Sequence, residues 1–197
     1  AAVEQGNAVQ NKVARDDILL RLNLSRSTVY QGEPVRVSLT LYTRARIAGF
    51  EDVKLPSFNG FWSQELSTDD YALQRETVGG KVYDSQIIKE YLLYPQQSGE
   101  LTIEPTEMTA IAQVVMQNSR NFDPFFGGGT EVYNVPRKLS TGAVRLTVKP
   151  LPAGAPASFT GAVGDFSLTA VEPSAELKVN SAATYTVKIS GTGNLSF

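Results

Sequence analysis

The sequence contains no cysteine and no histidine among its 197 residues. Without cysteine the chain has no disulfides, thiolate metal ligands or cysteine nucleophiles, although this absence does not identify the compartment. Histidine is the usual general base near neutral pH and the commonest metal ligand, so Ser-His-Asp and Cys-His arrangements are excluded. A Ser-Lys dyad or a carboxylate pair stays open, but no spacing in the chain supports either. We therefore expect no enzyme, no cofactor and no metal site.

Net charge and long apolar runs are also lacking. The 18 basic and 20 acidic residues leave a net charge of −2, without the basic stripe that nucleic acids need or a polybasic membrane signal. No apolar run reaches the roughly 18 residues that a membrane-spanning helix needs. The amino terminus shows no signal peptide, but a chain that begins after a cleaved leader would look the same. The 42% hydrophobic content is typical of a globular domain.

Alternation of apolar and polar residues is the dominant pattern. The segments 18–24, 35–42, 144–148 and 183–189 each place apolar side chains on one face, as half-buried strands do. Residues 81–95 are rich in β-branched and aromatic side chains and indicate one long or bent strand. Gly79-Gly80 between two such runs predicts a hairpin. About seven strands within residues 17–149 favour an all-β, immunoglobulin-like antiparallel β-sandwich.

Composition divides the chain into four predicted parts. Residues 1–16 are expected to be a flexible N-terminal segment and residues 17–149 the β-sandwich. Residues 150–160 are predicted to be a linker rich in proline, alanine and glycine. Residues 161–197 restart the strand, turn and strand pattern of the chain's opening, which predicts the start of a second β-sandwich module. Two strands are too few for a sandwich, so we predict that this module is truncated. The alternative is that the tail completes the first domain.

The stretch NFDPFFGGG at residues 121–129 is the candidate interaction site. It lies in an excursion of about 30 residues between strands expected to end near Ala112 and begin near Ala143. Short strands are predicted at 114–117 and 131–136, and we expect them to pair and hold the flanks of the stretch, because two phenylalanines cannot offset the ordering of a whole free loop. An exposed aromatic loop can dock on a partner or dip into a membrane interface. The alternatives are phenylalanines that cap the sandwich core and a phosphate loop, which would need a Lys-Ser/Thr pair after its last glycine. The candidate protein-interaction residues are Phe122, Asp123, Pro124, Phe125, Phe126, Gly127 and Gly128.

Two other clusters have simpler interpretations. Phe58, Phe61 and Trp62 are expected to be core aromatics of the sandwich, with a partner-binding face as the alternative. The acidic pairs at 16–17 and 69–70 are expected to be solvated loop charge, because the Asp-x-Asp-x-Asp-Gly spacing of a calcium loop is missing.

Four local patterns together resemble the BatD (aerotolerance, or oxygen-tolerance) family of bacterial envelope proteins. They are the opening strand and turn at 24–42, LPSFNGFWSQELS at 55–67, YLLYPQQSGELTIEP at 91–105, and DPFFGGG at 123–129 followed by GAVGDFSL and GTGNL. Each pattern alone is weak, because glycine turns and alternation occur in any sandwich. Their order makes the resemblance fairly specific, and together they cover residues 17–197.

The resemblance implies immunoglobulin-like domains outside the cytoplasm, preceded by a signal sequence and followed by a transmembrane segment. Such proteins are encoded beside a MoxR-type AAA+ ATPase and von Willebrand A-domain membrane proteins. We therefore expect a non-catalytic protein-interaction module at the periplasmic face of the inner membrane, anchored by a segment that is not in this chain. Its expected partners are von Willebrand A-domain proteins and related Bat-type envelope proteins, acting in oxidative-stress tolerance. The family offers no catalytic residues to carry over.

The alternative function is a carbohydrate-binding or adhesion-type β-sandwich. Sugar platforms show coplanar exposed aromatics flanked by hydrogen-bonding side chains. The single Trp62 and loop phenylalanines that offer no hydrogen bonds weaken this alternative.

Overall fold

The computed structural model describes residues 9–123, 127–173, 176 and 178–194, and gives the backbone alone for 117–123 and 127–129. The described residues form an all-β fold, as the alternation predicts. Its strands are β1 (Ile18–Leu24), β2 (Thr28–Tyr30), β3 (Val35–Thr43), β4 (Arg46–Lys54), β5 (Phe61–Leu66), β6 (Gln74–Val78), β7 (Lys81–Pro95), β8 (Gly99–Ile103), β9 (Glu107–Asp123), β10 (Gly127–Ser140), β11 (Val144–Lys149), β12 (Val163–Val171) and β13 (Thr186–Asn194).

The strands of residues 18–149 form sheets that enclose one apolar core. The largest sheet has the order β1-β3-β7-β5, and β6 also pairs with β7. The sheets β10-β9-β4 and β2-β11-β8 contribute to the same core, and the pairing of β2 with β11 is parallel. The remaining pairs are antiparallel, which confirms the predicted immunoglobulin-like β-sandwich.

The central strand β3 follows the predicted alternation on its inner face only, and β7 is the single long strand predicted at 81–95. The apolar residues of β3 from Val35 to Leu41 are buried, and residues 81–95 form one strand with a register shift opposite Leu39 and Thr40. Thr40 and Tyr42, expected on a polar outer face, are buried as well. On this face the Arg21 guanidinium lies over the Tyr42 ring, 5.4 Å from its centroid, and Tyr83 meets the same ring edge-on at 6.4 Å. The segment 67–73 between β5 and β6 also reaches this face, where the Tyr71 hydroxyl contacts Glu90.

The predicted Gly-Gly hairpin is confirmed. Gly79 and Gly80 join β6 to β7, and Val78 pairs directly with Lys81. Both glycines have positive φ angles, 57° and 78°. A two-residue turn with positive φ at both positions matches the right-handed twist of the strands it joins, and glycine adopts it without strain.

Residues 107–140 differ from the long excursion predicted for this region. They form the strands β9 and β10, of 17 and 14 residues, which pair with each other along most of their length. With these two included, the described part of residues 17–149 contains eleven strands, against about seven predicted. The alternation missed these strands because polar residues follow one another at 117–121, so no apolar side chain there recurs at every second position.

The segment before β1 packs on the sandwich. Val9 and Val13 are buried in the core, and the Arg137 guanidinium on β10 donates hydrogen bonds to the carbonyl oxygens of Gln10 and Val13, the latter at 2.7 Å. For residues 9–16 this differs from the flexible segment predicted for 1–16, because valines spaced four apart can bury their side chains together. Residues 1–8 lie outside the described residues, and the predicted domain boundaries stay predictions.

Strands β12 and β13 pair with each other in a two-stranded ribbon. The strand predicted at 183–189 is observed slightly later, from Thr186 to Asn194. One face of the ribbon is apolar and exposed, with Phe166, Leu168, Val187 and Ile189 on it. In the described part of the chain no other strand pairs with this ribbon.

Glycines allow the two backbones of the ribbon to approach closely. A Cβ atom on Gly191 would lie 2.1 Å from the carbonyl oxygen of Asp165, and one on Gly193 would lie 2.5 Å from that of Val163. The Phe166 ring occupies the adjacent space, with its atoms 2.9 Å and 2.6 Å from the same two positions. Any larger residue must therefore push the strands apart or displace the ring.

Replacing Gly191 with alanine is therefore expected to disrupt the ribbon without unfolding the sandwich. Amide exchange in β12 and β13 should accelerate at least about tenfold, while β3 and β7 keep their protection. Gly142→Ala is the matched control, since a Cβ there has no atom within 4 Å. If amide exchange in β12 and β13 of the Gly191→Ala variant is unchanged, the close approach of the two backbones is not required for these strands to pair.

Candidate functional site

The hairpin of β9 and β10 extends past the strand that supports its base. β4 pairs with β9 between Glu107 and Gln113, where Arg46 is the last partner. Beyond Gln113, β9 continues to Asp123 and, among the described residues, pairs only with β10. We call residues 114–123 of β9 and 127–134 of β10 the arm. At about 3.3 Å per residue, ten residues of β9 reach about 33 Å.

The inner face of the arm is attached to the sandwich core. Val114 is buried, as is Val135 just below the arm on β10, and Met116 and Tyr133 pack against the core with part of their surface exposed. The Tyr133 hydroxyl donates a hydrogen bond to the Glu131 carboxylate, and this bond raises the pKa of Tyr133. The lower half of the arm is therefore held in place before any partner binds.

The outer face of the arm exposes two valines. Val115 and Val132 are directly opposite each other in the β9–β10 ladder, and their exposed fractions are 59% and 58%. Cross-strand pairs of β-branched residues stabilise a sheet, but these two also present apolar surface to solvent. The arm therefore combines a fixed inner face with an accessible apolar outer face.

The structure places four of the predicted interaction residues, Phe122, Asp123, Gly127 and Gly128, at the far end of the arm. The backbones of Phe122 and Asp123 pair with those of Gly128 and Gly127. Both glycines were expected in a loop, and they belong to a strand instead because β9 supplies hydrogen-bonding partners for their backbone groups. Residues 124–126, which hold Pro124, Phe125 and Phe126, lie outside the described residues, and the interaction role of all seven residues stays a prediction.

The predicted pairing of the flanks is confirmed. Residues 114–117 and 130–133 are in register, with Val115 opposite Val132 and Gln117 opposite Thr130. A register shift follows between Gly128 and Thr130. The two flanks are parts of long strands rather than isolated short ones.

The second aromatic cluster divides between core and surface. Phe58 and Phe61 pack against the core as predicted, and the Phe58 ring meets Tyr91 with centroids 4.9 Å apart. For Trp62 the core prediction is wrong, since its exposed fraction is 49%. Trp62 lies on β5 at the edge of its sheet and packs one side against Tyr94, at 5.1 Å and an interplanar angle of 55°. Tilted rings of which one is buried do not form the flat platform of a sugar site.

A buried carboxylate is the polar feature that the sequence did not reveal. Glu90 on β7 is 3% exposed and accepts hydrogen bonds from Arg36 at 3.1 Å and from the Tyr71 hydroxyl at 2.6 Å. The hydrogen bond to Glu90 raises the pKa of Tyr71. The sequence does contain a sign of this buried carboxylate, because Glu90 lies within the largely apolar segment 87–94. An acidic residue is seldom buried unless it is paired, so a partner such as Arg36 could have been expected.

The segment 67–73, which carries Tyr71, bounds a polar cavity of about 530 Å³ on the outer face of the sheet β1-β3-β7-β5. Its lining includes Arg36, Tyr71, Glu76 and Glu90. Glu76 accepts a hydrogen bond from the buried Ser85, so both carboxylates are engaged by neighbours. Across the described residues, no group of three or more acidic side chains is placed to hold a metal ion. The arrangement is that of a structural hydrogen-bond network.

These observations define an immunoglobulin-like β-sandwich that carries a projecting β-hairpin arm. Comparison with protein families finds a match to the BatD family, described as a BatD DUF11 like domain, over residues 22–123. The match runs from β1 to the end of β9 and covers just over half of the chain, so the chain belongs to the BatD family. The domain is not a known enzymatic domain. No curated protein and no solved structure matches the chain.

Proposed function

We propose that this chain is a non-catalytic, extracytoplasmic protein-interaction module of a BatD-like envelope protein. In this proposal the arm binds von Willebrand A-domain membrane proteins, which act with a MoxR-type ATPase in oxidative-stress tolerance. Family membership supports the class of protein. The observation that carries the proposal is the arm itself, which extends beyond β4 and exposes apolar side chains that the fold of the sandwich does not use.

The paired flanks make binding by the tip energetically feasible. Fixing one backbone residue costs about 1–2 kcal/mol, and burying one phenylalanine contributes roughly 1.5–3 kcal/mol. Two phenylalanines could not offset the ordering of a 30-residue loop. The ladder is already formed up to the pair of Asp123 and Gly127. Only residues 124–126 lie between this pair, so fixing their backbone would cost at most about 3–6 kcal/mol, which the burial of Phe125 and Phe126 can match.

The proposed location is the periplasmic face of the inner membrane. Family membership is the support for it, together with the resemblance to proteins that carry their anchor elsewhere in the chain. In the part of this chain that the structure describes, no helix is long and apolar enough to cross a membrane.

The double variant Phe125→Ser with Phe126→Ser tests the role of the tip. Binding of the purified von Willebrand A domain encoded beside this chain should weaken by at least about 30-fold, since two buried phenylalanines contribute several kcal/mol and each 1.4 kcal/mol is tenfold. The melting temperature should change by less than about 2 °C. Calorimetric titration and thermal unfolding provide the two measurements.

Phe159→Ser is the matched control, since Phe159 is an exposed phenylalanine outside the arm. It should leave both binding and melting temperature unchanged. A large fall in the melting temperature of the double variant would show that Phe125 and Phe126 cap the core, and would sink the recognition role even if binding also failed.

A further inference from the structure

A polar cavity of about 600 Å³ lies where the segment before β1 meets the strand β10. Residues from 10–15 line one side of this cavity, and residues 136–139 of β10 line the other. β10 is an end strand of the sheet β10-β9-β4, so the cavity lies at the edge of that sheet. Its volume is within the range of roughly 300–1,000 Å³ that is typical of ligand pockets. The cavity is therefore large enough for a small molecule or a head group.

The charge around this cavity has one sign. The described residues that line it include three basic ones and no acidic one, and the basic residues are Arg15, Arg137 and Lys138. Within the described part of the chain, none of the three forms an ion pair. Positive charges that share a concave site reinforce one another's potential and attract anions. The cavity is therefore an anion site by its electrostatics.

Arg137 forms the inner wall of the cavity. Its neighbours on the inner face of β10 are buried, and its own side chain is partly buried there. The guanidinium donates hydrogen bonds only to uncharged carbonyl oxygens among the described residues, those of Gln10, Val13 and, at 3.4 Å, Pro136. Its Nε atom is buried and has no described acceptor. A charge withdrawn from water normally has a counter-charge, and Arg137 lacks one in the described structure.

The carboxylates nearest to Arg15 in the sequence bind other partners. Asp16 pairs with Lys81 on β7, and Asp17 pairs with Arg44 after β3. Neither aspartate lines the cavity. Residues 1–8, which lie outside the described residues, contain one acidic residue, Glu4, so a test of the cavity must include its removal.

We propose that this cavity binds a phosphate group, carried by a small soluble molecule or by a lipid head group. A phosphate monoester has a charge of about −1.5 to −2 at pH 7 and three acceptor oxygens, which complement three cations better than one carboxylate does. The planar fork of arginine also matches phosphate oxygens in geometry. Arg15 and Lys138 are exposed at the rim, while Arg137 supplies the inner charge. The site lies outside the arm and is independent of its proposed role.

Calorimetric titration of the full chain with inorganic phosphate at low salt tests the site. One phosphate should bind per chain, and Arg15→Gln with Lys138→Gln should weaken binding at least about tenfold, because two of three positive charges are removed. Neither residue has a described ion-pair partner, so without phosphate the melting temperature of this double variant should stay within about 2 °C of the unmodified value. Saturating phosphate should raise the melting temperature of the unmodified chain and not that of the variant.

Three comparisons control for charge and for the chain's own carboxylate. Arg145→Gln with Lys188→Gln removes the same two charges from exposed residues of β11 and β13, and should bind phosphate within about twofold of the unmodified chain. Acetate, with one charge, should bind the unmodified chain at least about tenfold more weakly than phosphate. Glu4→Gln should bind phosphate with unchanged affinity.

Sedimentation with vesicles identifies the source of the phosphate group. Vesicles of equal parts phosphatidic acid and phosphatidylcholine are compared with vesicles of phosphatidylcholine alone. Binding to the first kind that Arg15→Gln with Lys138→Gln abolishes would assign a lipid head group to the site. Binding of inorganic phosphate without binding of either vesicle would assign a small soluble molecule. Both results support a phosphate site.

Four results would overturn the inference. The first is that the unmodified chain binds neither inorganic phosphate nor the phosphatidic acid vesicles. The second is an equal loss of binding in the control pair, which would show that only overall charge matters. The third is acetate binding as tight as phosphate binding, which would assign the cavity to carboxylates such as those of an acidic peptide. The fourth is tenfold tighter binding by Glu4→Gln, which would make residues 1–8 the occupant. The proposed function of the arm survives all four.

Discussion

Replacing Leu93 with alanine is expected to lower the free energy of unfolding by about 3 kcal/mol, within the range of roughly 2–5 kcal/mol for large truncations in a core. Leu93 is 0% exposed, and it lies on β7, which pairs with both β3 and β5. Because neighbours are bonded on both sides, the strand cannot move to fill the space left by the side chain. The melting temperature should fall by about 6–12 °C.

Leu168→Ala is the matched control for this change. Leu168 is also a strand leucine, but it is 66% exposed on the β12–β13 ribbon. The same truncation there should cost less than about 0.5 kcal/mol. Urea unfolding monitored by far-UV circular dichroism would compare the two. Equal effects would mean that the core does not lie between the sheets as described.

Removal of the Arg36 guanidinium is expected to have the second largest effect. Arg36→Ala leaves the Glu90 carboxylate buried with the Tyr71 hydroxyl as its remaining described side-chain partner. A buried charged acceptor that loses a partner costs about 1–3 kcal/mol. The expected loss of unfolding free energy is smaller than for a fully buried ion pair, because Arg36 is itself half-exposed and water can replace part of its interaction with Glu90.

Arg26→Ala provides the comparison for Arg36→Ala. Arg26 pairs with Glu33 at 2.5 Å, but both groups keep contact with solvent. Surface ion pairs contribute about 0–1 kcal/mol, so the loss should be smaller. The difference can be measured by urea unfolding at constant pH and salt. If both variants lose the same stability, Glu90 is not held in a dry environment and segment 67–73 does not shield it.

The strands that line the core were predictable because burial on one face imposes a period of two. In β3, the apolar residues from Val35 to Leu41 mark the inner face, and the structure buries all of them. The Gly79-Gly80 hairpin was predictable for a local reason, since positive φ angles at both turn positions select glycine. Both signals act over a few residues and need no knowledge of tertiary contacts.

Features that depend on tertiary contacts were not predictable in the same way. The burial of Tyr42 depends on contacts with Arg21 and Tyr83 from other strands, which alternation within β3 does not reveal. Trp62 was expected in the core because of its size, but an edge strand exposes it. The arm was expected to be mostly loop, because the consecutive polar residues at 117–121 give no strand signal.

The position of the candidate site was predictable from composition, and the structure adds the paired strands that lead to it. The aromatic and glycine-rich stretch at 121–129 identified the tip, and the pairing of its flanks was predicted from short apolar runs and confirmed. The exposed outer face of the arm, with Val115 and Val132 on it, was not predictable from the sequence. It depends on the register that sets Val115 opposite Val132, and register is decided by the whole ladder rather than by either strand.

The central claim is that the arm, rather than the sandwich or the ribbon, contacts the partner. Hydrogen exchange of the full chain with and without the purified von Willebrand A domain tests it most directly. The account predicts at least about tenfold slower exchange at residues 114–134 in the complex, with unchanged exchange in segment 67–73 and in β12 and β13. Slower exchange in either of those regions, with residues 114–134 unchanged, would contradict the claim.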